Sequence, residues 1–99
     1  MSEKEISTFL EPHLQILRAI SHGAGNHEIL AAKRSIGSIV VKFNYAPVHE
    51  YARRSINLLD KAFGYVDLQK KNAAATEGAA YFADRIFITI CECEKNKLA

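Results

Sequence analysis

Helix breakers partition this chain. Pro12, the Gly23/Gly25 pair, Pro47 and Gly64 fall at intervals that leave four segments, each long enough for a helix and too short for a domain of its own. With 99 residues in all, the chain suits a single domain over residues 1–99. It can bury about 60–68% of its extended surface, enough for one modest core.

The first segment, about residues 4–21, places Ile6, Phe9, Leu10, Ile16, Leu17 and Ile20 on one arc at 100° per residue. Pro12 interrupts it by removing its own backbone donor and disfavouring a helical Glu11. Because the apolar phase continues across the proline, the expectation is a kinked helix, or two short ones in register. Asn26 suits the N-cap of the second helix, where Ile29, Ala32, Ile36, Val40 and Phe43 recur at spacings of three and four. Pro47 fits the first turn of the third helix, about 47–63. Val48, Tyr51, Ala52, Ser55, Ile56, Leu59, Ala62 and Phe63 share one side of it. Gly64 to Asn72 reads as the longest connection, and the fourth helix as about Ala73 to Cys93.

These patterns predict an all-α, four-helix bundle-like domain, with helix one broken or kinked at Pro12. The alternative is an α+β fold with short strands near 38–45 and 86–91. Ile39-Val40-Val41-Lys42-Phe43 and Ile86-Phe87-Ile88-Thr89-Ile90 are rich in β-branched and aromatic residues. Helix is preferred because each run continues a longer helical stripe in phase.

Composition now becomes informative. Hydrophobic residues make up 48% of the chain, and they are unevenly placed. On helix four, Ala79, Phe82, Ala83, Ile86, Ile90 and Cys93 form one stripe, Ala80, Phe87 and Cys91 widen it, and Tyr81 and Ile88 reach the far side. Helix two carries a second line, Leu30-Arg34-Gly37-Val41-Tyr45, beside its core stripe. Three neighbouring helices can cover helix four within a monomer. The competing reading is a protein–protein surface, because monomers seldom expose large apolar patches. Aliphatics, an aromatic, an arginine and a close-approach glycine are interface residues in kind. A homodimer is the commonest use of such a patch, and a second protein inserted into the same groove is the other. The expected partner contacts are Leu30, Arg34, Val41, Tyr45, Tyr81 and Ile88.

Other chemistries are weakly represented. His13 lies in helix one's apolar arc with no acid or nucleophile tied to it by spacing. His27-Glu28 and His49-Glu50 lack a second histidine four residues on, where Ala31 and Arg53 stand, so neither is a zinc-protease motif. His27 and His49 begin successive antiparallel helices and would lie about 25–30 Å apart. Cys91 and Cys93 point about 200° apart on a helix and chelate poorly together, even with His49 brought to the same end. Gly23-Ala24-Gly25 before a helix N-terminus has the form of an anion cradle but reads as an interhelical turn. No metal, cofactor or catalysis is expected.

Thirteen Lys+Arg against eleven Asp+Glu leave a net charge of +2. That is weak support for nucleic-acid binding and excludes an acidic nucleic-acid mimic. A run of ~18 apolar residues is absent, and the Met1–Glu5 segment lacks a signal-peptide core. The expectation is therefore a small cytoplasmic, non-catalytic interaction module acting by stoichiometric binding. Such a protein would be an inhibitor or anti-activator of a regulatory protein, or a secretion chaperone. The alternative is a DNA-binding transcriptional regulator using Lys33, Arg34, Arg53 and Arg54.

Overall fold

A computed structural model describes residues 1–98, without the side chains of His22 and Leu98. Four helices make up the fold: α1 (Glu3–Ala19), closed by a single 3₁₀ turn (Ile20–His22), α2 (Asn26–Lys42), α3 (Ala46–Gly64) and α4 (Leu68–Leu98). Neither run considered for a strand forms one: residues 39–42 and 86–90 are helical. The helices run up, down, up and down, with α1 beside α2 and α4, and α3 beside α2 and α4. At 1.5 Å per residue, α4 is about 46 Å long, matching the 48 Å long axis of the molecule.

Helix α1 is not broken at Pro12, which lies inside one continuous element. Pro12 itself is exposed, while Ile6, Leu10, Leu14 and Leu17 bury the opposite face. Its start is fixed by a capping box, in which the Ser2 hydroxyl accepts from the Glu5 amide and the Glu5 carboxylate accepts from the Ser2 amide. The N-cap of α2 is Gly25 rather than Asn26, which is the first helical residue. Its side chain is used elsewhere, accepting from Lys71 Nζ at 2.7 Å.

The third connection is only Tyr65–Asp67, not the long loop expected from Gly64 to Asn72. Asp67 accepts from the Lys70 amide at 2.9 Å, an N-cap geometry that starts α4 several residues early. Lys71 and Asn72 are therefore helical, and they tie the bundle end together. Buried Lys71 Nζ also donates to the Phe63 carbonyl at 3.1 Å, near the negative end of α3. The Asn72 side chain accepts from the Ala24 amide at 2.9 Å, holding the turn between α1 and α2. Gly23 has φ 136°, a backbone state costly for other residues. The far end of α4 runs past Cys93 to Leu98.

The core joins all four helices around Phe43, Phe82, Ile6, Leu10, Leu17, Ile29, Ile36, Ile39, Leu59, Ile86 and Ile90. Most of the apolar excess of α4 is absorbed here: Ala75, Ala79, Phe82, Ala83, Ile86 and Ile90 are buried. Gly78 lets α3 and α4 approach closely, since a Cβ at this position would stand 2.9 Å from Leu58 Cβ and 3.0 Å from the Ser55 carbonyl. A Cβ at Gly37 on α2 would meet nothing within 4 Å.

The two glycines therefore predict opposite signs. Gly78→Ala should destabilise the fold, because overpacking of about 1–3 kcal/mol exceeds the helix-propensity gain of about 1 kcal/mol. Gly37→Ala should stabilise it by about 0.5–1 kcal/mol. Denaturation midpoints check both; equal responses at the two positions contradict the close approach.

Candidate functional site

The six expected contact residues separate into two groups. Leu30, Arg34 and Val41 lie on the outward face of α2, all exposed, with Val41 at 83%. Their spacing of four and seven residues sets them within about 40° of one another on the helical wheel, opposite the buried Ile29, Ala32, Ile36 and Ile39. Gly37 leaves a dip in this line. With Phe9 from α1 and Arg34, Ser38, Val41 and Lys42 from α2, it forms an open groove of about 860 Å³.

Phe9 is held in that groove from two sides. Its ring meets Phe43 edge-on at 5.5 Å between centroids, and Lys42 Nζ lies 5.8 Å from its centre. His13, one turn further along α1, stacks at a tilt on Phe9 at 5.4 Å. Its Nδ1 lies 3.1 Å from the Oγ of buried Ser35. The α1–α2 seam is thus aromatic and hydrogen-bonded beneath, while the face above it is open.

Tyr45, Tyr81 and Ile88 lie elsewhere. Tyr45 follows α2 and is half-buried at the end of the bundle, where its hydroxyl donates to Glu94. The Met1 ammonium reaches the other oxygen of Glu94 at 3.1 Å. Tyr81 is also engaged internally: its hydroxyl accepts from Arg54 Nη1 at 3.1 Å, its ring meets Tyr51 edge-on at 5.8 Å, and the Arg85 guanidinium lies 3.9 Å from its centre. Ile88 is 62% exposed, bordering a smaller hollow with Glu3, Phe87, Cys91, Glu92 and Lys95. Only Leu30, Arg34 and Val41 are brought onto one surface.

Sequence reasoning missed the tip between α3 and α4. Phe63, Val66 and Leu68 are exposed there, Val66 at 94% and Leu68 at 70%. The signal is three apolar side chains around Gly64 and Asp67, of which Phe63 reads as part of helix three's apolar side and Val66 and Leu68 as connection. It equally missed Glu94, which stands among exposed charged neighbours in sequence.

The basic residues named for a nucleic-acid reader are mostly matched with acids. Lys33 Nζ is 2.5 Å from Asp60, and Glu50 binds Arg53 at 2.7 Å and Arg54 at 3.3 Å. The Arg53 hydrogen bond holds the Glu50 carboxyl below its ordinary range. His49 lies 2.5 Å from the Asn44 side chain, while burial pushes both cysteine thiols up. Among the described residues no three His, Cys, Asp or Glu side chains are grouped to hold a metal, and no helix is long and apolar enough to cross a membrane. The chain matches no family model, no curated protein and no solved structure.

The Tyr45–Glu94 pair links stability to pH. The hydroxyl of Tyr45 holds the Glu94 carboxyl below its ordinary 4.5, helped by the Met1 ammonium. The same bond pushes Tyr45 up to about 12. The depressed carboxyl contributes stability above its ordinary pKa, lost as pH falls through the lowered value. The raised phenol contributes below about 10, lost as pH rises through about 12. Glu94→Gln should therefore flatten the acid limb of the melting-temperature profile, and Tyr45→Phe the alkaline limb. Limbs parallel to the parent protein would show that the pair carries no such linkage.

Proposed function

We propose that this protein is a non-catalytic interaction module of the cytoplasm that acts by stoichiometric binding through the outward face of α2. It inhibits or counteracts a regulatory protein, or chaperones a secreted one, by covering the partner's own binding surface. The observation that carries this reading is the Leu30–Arg34–Gly37–Val41 line. It faces away from a core that α2 already completes with Ile29, Ala32, Ile36 and Ile39. An 83% exposed valine beside a glycine dip and an aromatic wall gains on docking what the monomer does not use. Covering one such side chain is worth about 1.5 kcal/mol or more. A homodimer, the commonest use of such a patch, would occupy the same face and compete with that partner.

Nucleic-acid binding is less well supported. A duplex reader concentrates unpaired cations on one face, whereas Lys33, Arg53 and Arg54 each bind a carboxylate. The pairs also lie on two helices, α2 and α3, and only Arg34 of the four is outside an ion pair among the described residues.

Tagged protein should retain one partner at fixed stoichiometry from its native lysate, with a salt dependence far shallower than that of duplex-DNA binding. Val41→Glu should abolish that capture while helical circular dichroism and the melting temperature stay unchanged. Asn57→Glu, on the exposed side of α3, should leave capture intact. Capture that survives Val41→Glu contradicts the site, and unfolding of that variant would show Val41 to be core.

A further inference from the structure

We propose that the α2 groove receives an acidic amphipathic helix of a different protein rather than a second copy of this chain; this rests on the interaction reading above and names its partner's chemistry. Charge selects the occupant. Arg34 and Lys42 border the groove at its two ends, eight residues or about 12 Å apart along α2. Among the described residues neither has a carboxylate within ion-pair distance. Lys42 is instead placed over the Phe9 ring.

Acids of the surrounding elements have partners of their own: Glu94, which lines a hollow with Lys42, accepts from Tyr45 and the Met1 ammonium. Glu5, one turn before Phe9, accepts from the Ser2 amide at 3.1 Å, and Glu11 accepts from Gln15 at 3.3 Å. Asp60 binds Lys33. The sole acid of α2, Glu28, lies in its first turn. A two-fold axis over Gly37 would set α2 against its copy and gather two Arg34 and two Lys42 residues with no α2 carboxylate between them. Like charges brought together at an interface select against that pairing.

A foreign helix can supply what a second copy lacks. Its face needs two acidic residues roughly seven or eight positions apart, to meet Arg34 and Lys42 at i and i+7 or i+8 spacing. Between them, one large apolar side chain fits the dip at Gly37, flanked by Val41 and Phe9. This is helix-in-groove recognition with the polar ends fixing orientation.

The test uses two synthetic helical peptides of about 18 residues. One carries a central leucine with a glutamate roughly four residues to each side; in the other, lysines replace the glutamates. Fluorescence anisotropy should show micromolar binding of the acidic peptide and at least about tenfold weaker binding of the basic one. Arg34→Glu/Lys42→Glu should invert that preference, a charge-swap rescue that a merely destabilised protein cannot give. Gly37→Ala should weaken acidic-peptide binding without lowering the melting temperature. Equal binding of both peptides, no binding of either, or a parent dimer lost in Val41→Glu by sedimentation would each overturn the proposal. If native capture is lost in Val41→Glu but retained in the double charge reversal, the docking face stands and the acidic occupant falls. If capture survives Val41→Glu, the underlying reading falls as well.

Discussion

Helix α4 meets α3 over Gly78, where no side chain separates the two backbones, and the rest of the bundle is arranged around that contact. Close approach there lets Phe82, Ile86 and Ile90 fill the centre against α1 and α3. Two polar ties then fix how far the helices can slide. At one end Lys71 and Asn72 bind the α3 terminus, Asn26 and the Ala24 amide. At the other, Glu94 gathers Tyr45 and the Met1 ammonium. Buried polar groups are costly unless bonded, so a register that satisfies both ends at once is strongly selected over its neighbours.

Completing the core from within has a consequence for the surface. Once α4 is enclosed, large apolar side chains of the described residues other than Met1 and the lone Ile16 stand exposed at three places: the outer line of α2, Ile88 on α4, and the Phe63–Leu68 tip. The first combines a glycine dip, an aromatic wall and two cations outside ion pairs among the described residues. Ile88 lies beside a mixed-charge hollow containing Glu3, Glu92 and Lys95. The α2 face therefore has the most definite chemistry of the three, combining apolar contact with charge of one sign.

The helical periodicity of all four segments was legible in the sequence, because the apolar stripes at three- and four-residue spacing are long. The β-branched runs obeyed it too: Ile39 and Ile86 are core residues of helices. Pro12 left a kinked helix and two short ones both open, because its effect depends on whether the packed face continues past it; Leu10, Leu14 and Leu17 carry that face through one helix. Lys70-Lys71-Asn72 reads as solvated loop by composition, since a buried ammonium is intelligible only once the Phe63 carbonyl and Asn26 side chain are seen around it. Of the proposed contacts, Leu30, Arg34 and Val41 follow from α2 periodicity alone. Tyr45 and Tyr81 do not, because long-range bonds to Glu94 and Arg54 leave no trace in local spacing.

The four helices close their own core and leave the α2 face over. Equilibrium denaturation at two protein concentrations, about a hundredfold apart, tests this most directly. A self-sufficient bundle gives one cooperative transition with the same midpoint at both concentrations. A midpoint that rises with concentration would mean that a second copy completes the core, and the face assigned to docking would belong to the fold.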